Sequence, residues 1–397
     1  MEVTTWREAL RLLLDHIQPL PTAAVELGDA RARFLQIDAK AATDAPAFDV
    51  AMMDGYAVGE EASVGPELRV SGKSLPGEPP TGTLQGGTAC RIFTGAPTPN
   101  LTARVIPQEL IQETENEAIR ILEVPEARFI RPRGSEARAG DTILARGQHL
   151  GPAELAILAS LGIATPRVGG KPRIAHLVLG GELIDPAQTP VHPQIRDSNS
   201  ILIHALVEEW NAQIVFHQRL DDDSQKIVRS LDESRSLADM ILISGGASVG
   251  EHDHARSSLA KVGFKFLFEK TDLRPGRPAA AAVHKNQTAI CLPGNPLAHL
   301  VVFHLLVRPA LRKLSGATIF GNAFHSARLA QCLTGKANSR HTFWPAVLLP
   351  DGLHPLRFLT SSDVLSLVGA NALISLEPGE PLPGTGENVS FLPLNMP

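Results

Sequence analysis

Cysteine is scarce and scattered. Cys90, Cys291 and Cys332 are the only three in the chain, and none forms a CxxC pair. That excludes a disulfide framework and a thiolate metal site, and makes a reducing cytoplasm the expected setting. Excess positive charge is missing too. A formal net charge of −5 argues against a nucleic-acid-binding protein, which would carry a basic face, though it leaves room for local basic pockets. No run is long and apolar enough to cross a bilayer, so no membrane span is expected, and the N-terminus shows no signal-peptide pattern. Aromatic residues make up 5% of the chain, with a single tyrosine. What abounds is 31 prolines and 33 glycines, which predict many turns and short strands between compact elements. A hydrophobic content of 43% and a charged content of 20% are those of a soluble globular protein. At 397 residues the chain exceeds one ordinary core, and two to four domains are expected.

Periodicity divides the chain further. Thr5-x-x-Glu8 fits a capping box, followed by an apolar stripe of Trp6, Leu10, Leu13, Leu14 and Ile17 that Pro19 and Pro21 end. From Pro46 to about Pro132, short β-like runs at 68–70 and 118–122 alternate with Gly/Pro turns, which predicts an inserted β-rich domain. A helix follows Gly151, with Leu155, Leu158 and Ala159 at helical spacing and Gly162 as its stop. Strands are then expected at 173–179, 213–217, 239–244 and 288–292, with helices near 198–210, 224–234 and 296–314. This alternation predicts a parallel sheet between helices, with ligands at the carboxyl ends of its strands, in the loops after residues 179, 244 and 292. Beyond Gly316, β-like runs at 344–349, 356–360, 372–376 and 389–392 suggest a small terminal barrel or sandwich.

Three loops could carry chemistry. Ser244-Gly245-Gly246-Ala247-Ser248-Val249-Gly250-Glu251-His252-Asp253 follows an apolar strand. Its glycines admit a ligand close to backbone N–H groups, and Glu251 and Asp253 could hold a divalent cation; a tight turn with solvated acids fits equally. Leu292-Pro293-Gly294-Asn295-Pro296 places an N-cap residue before a helical proline, either an anion site or simply a well-made cap. Lys270, Arg274 and Arg277 gather three cations in the short loop from Lys270 to Pro278, for an oxyanion or as a solvated basic turn. All three loops belong to one sheet, which favours a polyanionic small molecule. His252 and His254 have zinc-like spacing but sit beside Asp253 in a glycine loop, where a surface role is expected. Ser248 has no His–Asp partner motif. Asp54, in Met53-Asp54-Gly55-Tyr56-Ala57, and Thr94, in Arg91-Ile92-Phe93-Thr94-Gly95-Ala96-Pro97, read as ordinary turns by composition.

In order along the chain, MDGYA at 53–57, RIFTGAP at 91–97, QIRDSN at 194–199, SGGASVGEHD at 244–253, RPGRP at 274–278 and LPGNP at 292–296 resemble motifs of the MoeA family of molybdopterin molybdenumtransferases. That family is related to the C-terminal domain of gephyrin. The resemblance implies an α/β multidomain chain. A molybdopterin-binding-like α/β domain is expected at 1–22 and 167–315, and an inserted β-rich domain at 46–138. A linking domain would take 23–45 and 139–166, and a C-terminal β-barrel domain 316–397. It also implies a homodimer, with the cleft between the sheet domain of one subunit and the inserted domain of the other. The implied reaction inserts molybdate into adenylylated molybdopterin with loss of AMP, assisted by Mg²⁺. An adenylyltransferase for molybdopterin and molybdoenzyme chaperones are the implied protein partners.

Carried over residue by residue, Ser244, Gly245, Gly246, Ser248 and Gly250 with Pro293, Gly294, Asn295 and Pro296 would hold phosphate and pterin. Lys270, Arg274 and Arg277 would neutralise the anions. Asp253 and Asp222 would serve metal or nucleotide, and Asp54, Thr94 and Glu182 would face molybdate, with Asp253, Glu251 and Glu182 as metal ligands. The chain departs from the family pattern at Val50 and Ala51 before Asp54, at Ala103, and at Leu179 and Gly181 beside Glu182. It also has Arg274 and Arg277 where lysines are usual, and Glu136 for an aspartate. Three readings follow: an active transferase, a diverged nucleotide-binding carrier or regulatory subunit, or an interaction scaffold.

Overall fold

The computed structural model describes residues 3–79, 82–114, 117–246, 254–358 and 360–394. Helix α1 (Trp6–His16) opens as expected, with Thr5 Oγ1 accepting the Glu8 N–H at 3.3 Å. Glu8 does not complete the capping box from its side. Glu8 pairs with Arg11, and the Trp6 N–H is taken by Asp272 Oδ1 at 2.7 Å, a residue of the basic loop. The start of the chain is thereby tied to the segment that carries the arginines.

Two compact units form. One comprises Asp38–Ala145 with Ser160–Ile163; the other comprises Met1–Ile37, Arg146–Ala159 and Ala164–Pro397. The first holds a six-stranded sheet of β1 (Gly55–Val58), β2 (Glu67–Ser74), β3 (Thr88–Ile92), β4 (Arg104–Pro107), β5 (Ile111–Thr114) and β6 (Ala118–Ile121), in the order β4-β1-β3-β2-β6-β5. All neighbours are antiparallel except β2 and β3. Side chains alternate between two apolar clusters: Ala57, Cys90, Ile92 and Val105 on one face, Tyr56, Val58, Ala89 and Ile106 on the other. The lone tyrosine is therefore a core residue, 5% exposed, with its hydroxyl donated to Glu113 at 2.8 Å.

In the larger unit α1 is followed by α2 (Pro152–Ser160), which belongs to it as far as Ala159, and then by a six-stranded sheet. Its elements are β7 (Arg173–Leu179), α3 (Ser198–Glu209), β8 (Gln213–Leu220), α4 (Ser224–Leu237), β9 (Met240–Ser244), α5 (His254–Lys261), β10 (Lys265–Phe268), β11 (Ala280–His284) and β12 (Gln287–Leu292). The order is β8-β7-β9-β12-β11-β10. The four strands anticipated from sequence form the parallel part; β11 and β10 extend it antiparallel. Those two went unanticipated because β11 is largely alanine, a weak strand former that is fully buried here.

The helix expected at 296–314 is α6 (Pro296–Val302) and α7 (Arg308–Leu314) joined by a π-helical stretch, Phe303–Val307. Pro309 has no N–H to offer the Leu305 carbonyl, and Asn322 Nδ2 fills that position at 3.0 Å. The C-terminal sheet contains β13 (His325–Arg328), β14 (His341–Leu349), β15 (Gly352–Pro355), β16 (Ala372–Leu376) and β17 (Asn388–Pro393). The described residues of the run at 356–360 form no strand. β15 makes the hairpin with β14 instead, and the Leu356 carbonyl accepts the Trp344 indole N–H at 2.8 Å. The two-residue strand Leu273–Arg274 of the basic loop pairs parallel with His341 and Thr342, joining that loop to the C-terminal sheet.

Candidate functional site

β7, β9 and β12 end side by side, with Val178 opposite Ser244 and Ser244 opposite Leu292. The loops leaving this edge enclose a cavity of about 670 Å³, lined by Leu179, Glu182, Asn199, Ser244, Gly245, Gly246, Gly294, Asn295 and Pro296 among others. Glycine is required at two of these positions. Gly245 has φ +79°, and a Cβ there would lie 2.3 Å from the Leu179 carbonyl oxygen; Gly246 has φ +63° and would meet the Leu179 side chain at 2.7 Å. At Gly294 a Cβ would meet no protein atom within 4 Å, so only an occupant of the cavity would feel it.

Asn199, of the QIRDSN segment, donates to the Gly294 carbonyl at 2.7 Å and so binds that segment to LPGNP. Asp197 N-caps α3, accepting the Ser200 N–H at 3.0 Å. Asn295 has the backbone of an N-cap, but its amide is donated to Ser361 Oγ at 2.6 Å rather than used as a cap. Ser244 also differs from expectation. Its hydroxyl is 1% exposed and held between His176 Nε2 at 2.7 Å and His299 Nε2 at 2.8 Å, so only its backbone can serve a ligand.

A second cavity of about 290 Å³ shares Pro278, Gly294 and Asn295 with the first and is lined by Pro293, Arg274, Arg277 and Arg340. None of its described lining residues is acidic. Burial, reinforced by Arg277 and then Arg274, pushes the Arg340 pKa below the ordinary arginine value. Like charges held this close favour an anion between them. The loop is braced by Arg256, which donates to the carbonyls of Glu269 at 2.7 Å and Pro278 at 3.0 Å, and Arg274 stacks its guanidinium 5.6 Å from the Phe358 ring centroid. Arg340 was not singled out from the sequence. It stands alone in a polar stretch, and only the pairing of Leu273–Arg274 with β14 brings it here.

Other expected residues fall elsewhere. Lys270 lines neither cavity, and its carbonyl accepts the Thr4 N–H at 3.0 Å. Asp222 is exposed in the loop after β8 and also lines neither. Ser248, Gly250, Glu251 and Asp253 lie outside the described residues. In the smaller unit, β1 and β3 bring the MDGYA and TGAP turns together. Thr94 donates its N–H and hydroxyl to Asp54 Oδ1, both at 2.8 Å, and these bonds hold the exposed carboxyl below its ordinary pKa. Arg91 packs over Tyr56 and Phe93, 4.9 and 5.0 Å from the ring centroids, and donates to the Gly55 carbonyl. Val50 and Ala51 are buried, Ala51 within the apolar cluster of Ala57 and Ile92.

These features define a multidomain α/β protein with a glycine-floored cavity at the strand ends of its parallel sheet and an arginine-walled cavity adjoining it. Three family models match in sequence: the MoeA N-terminal region (domain I and II) at residues 4–162, the probable molybdopterin binding domain at 175–313, and the MoeA C-terminal region (domain IV) at 327–394. The chain is 33% identical over 389 residues to the molybdopterin molybdenumtransferase of Nostoc sp., covering 94% of this chain and 89% of that one. It is 32% identical over 384 residues to the molybdopterin molybdenumtransferase of Haemophilus influenzae, covering 95% of each. The molybdopterin biosynthesis moeA protein of Pyrococcus horikoshii OT3 superposes with a TM-score of 0.84 at 27% identity, over 99% of this chain and 100% of that one. The chain belongs to the MoeA family.

Proposed function

We propose that this chain is a molybdopterin molybdenumtransferase, inserting molybdate into adenylylated molybdopterin and releasing AMP. The observation that carries this reading is the pair of adjoining cavities, one floored by glycine backbone and the other walled by Arg274, Arg277 and Arg340. Molybdate and a nucleotide-linked phosphate repel one another, and fixed guanidinium groups offset that repulsion without reorganisation during the reaction. The backbone of Gly245, Gly246 and Gly294 holds the phosphate and pterin end. Glu182 is the one carboxylate among the described residues of the larger cavity. One or two such oxygens, completed by water and substrate phosphate, suit Mg²⁺, which supplies charge neutralisation at the phosphoanhydride. Glu251 and Asp253 are proposed to join Glu182 there, and Asp54 with Thr94 to serve molybdate. A cytoplasmic homodimer is proposed, and the partner enzymes remain the adenylyltransferase that supplies the nucleotide and the chaperones of molybdoenzymes.

Leu179 favours a second reading. Where the family pattern has threonine, this leucine is 3% exposed and packs on Gly245 and Gly246, removing a hydroxyl from the cradle. A carrier that binds the nucleotide without turnover would tolerate that loss. The deciding experiment incubates purified protein with adenylylated molybdopterin, molybdate and Mg²⁺ and follows AMP. Molybdate-dependent AMP release establishes the transferase; tight nucleotide binding without release establishes the carrier instead.

A further inference from the structure

Behind the glycine floor, on the face of the sheet that α3 covers, lies a chain of histidines that the proposed reaction does not use. His176 on β7 and His217 on β8 are register partners, and His204 on α3 stands over them. The ring centroids are 5.3 Å apart for His176 and His204, 5.3 Å for His176 and His217, and 4.6 Å for His204 and His217. One nitrogen from each ring lies within 4.8 Å of the other two.

The direction of every hydrogen bond in this chain follows from its two carbonyl ends. His299 Nδ1 faces the Asn295 carbonyl at 3.1 Å, and a carbonyl only accepts, so that nitrogen carries the proton and Nε2 does not. The Ser244 hydroxyl must then donate to His299 Nε2, and its oxygen accepts from His176 Nε2–H. That leaves His176 Nδ1 as a bare lone pair, 3.2 Å from His204 Nε2. At the other end His217 Nδ1 donates to the His176 carbonyl at 3.2 Å, leaving its Nε2 as a lone pair. Two of the three rings thus have their outer N–H anchored on an oxygen and their free nitrogen left for a ligand, the arrangement that supports metal-bound histidine.

We propose that His176, His204 and His217 bind one divalent transition-metal ion through their nitrogens, with a fourth position open to solvent. Two nitrogens at about 2.1 Å from a tetrahedral ion stand about 3.4 Å apart, close to the 3.2 Å between His176 and His204. Binding needs His204 to move its proton from Nε2 to Nδ1 and the three nitrogens, now within 4.8 Å of one another, to draw in toward that spacing. The three imidazoles suit Zn²⁺, Co²⁺, Ni²⁺ or Cu²⁺ and not Mg²⁺, which takes oxygen, so this centre is separate from the magnesium of the proposed reaction. His217 is exposed and opens a route for the ion, while His176 is fully buried. Through Ser244 and His299 the ion would also be linked to the Asn295 backbone at the rim of the cavity.

The test needs no substrate and is independent of the transferase reading. Full-length protein, stripped with chelator, is titrated with Co²⁺ alone and then Zn²⁺ alone, followed by visible absorption and calorimetry. One Co²⁺ per chain with tetrahedral d–d bands, displaced by Zn²⁺, is expected. His217→Gln, a surface change, and His204→Gln should each weaken that binding at least tenfold while leaving the circular dichroism spectrum unchanged. Absence of saturable binding at micromolar ion overturns the proposal, as does binding of the same strength in both variants, which would place the metal on other histidines.

Discussion

Arg340 contributes a charge that its own neighbourhood does not explain. Its guanidinium donates to the Leu273 carbonyl at 3.3 Å and shares a cavity with Arg274 and Arg277. A hydrogen bond to a charged group is worth about 1.5–3 kcal/mol. Arg340→Ala should therefore weaken inorganic pyrophosphate binding by about 10- to 100-fold in calorimetry, with Arg340→Lys restoring part of it because charge returns without the fork geometry. Unchanged affinity in Arg340→Ala would remove this cavity as the anion site. Arg274 and Arg277 were legible beforehand, since each is followed directly by a proline, which announces a fixed loop. Lys270 looked equivalent and is not, because the loop turns at Pro275 and leaves it outside the cavity.

The loops depend on their glycines in two different ways. Gly245 needs its left-handed backbone and stands against the Leu179 carbonyl, so Gly245→Ala should lower the urea midpoint at a cost of about 1–3 kcal/mol. Gly294→Ala meets no protein atom and should leave the midpoint unchanged while weakening nucleotide binding. If both variants unfold alike, the distinction between a folding glycine and a ligand glycine fails. The parallel strands and their helices were readable because burial imposes apolar runs and periodic stripes. The alanine strand β11 and the π-helical stretch at Phe303–Val307 were not. Their backbone is set by the neighbouring strand and by Asn322, and neither leaves a local pattern.

At the scale of the whole molecule, the three family matches span nearly the entire chain, and the structural relative matches it end to end. The proposed homodimer predicts a sedimentation-equilibrium mass twice the 42.5 kDa of one chain, independent of substrate. A single-chain mass at micromolar concentration would refute it. In the smaller unit Val50 and Ala51 are both buried, and Ala51 packs within an apolar cluster with Ala57 and Ile92.

Scarce cysteine, the absence of an apolar span, the alternation of strand and helix patterns and the ordered glycine and proline motifs were enough to determine the family and to point to the loops proposed as the site. Such features depend on residues close together in the chain, where propensity and backbone freedom act directly. Tertiary structure alone decided that Arg340 joins Arg274 and Arg277, that the Ser244 hydroxyl turns inward, and that three histidines from two strands and a helix share one small volume. Charge repulsion and the direction of a lone pair depend on distance and angle across long sequence separations, which only packing supplies.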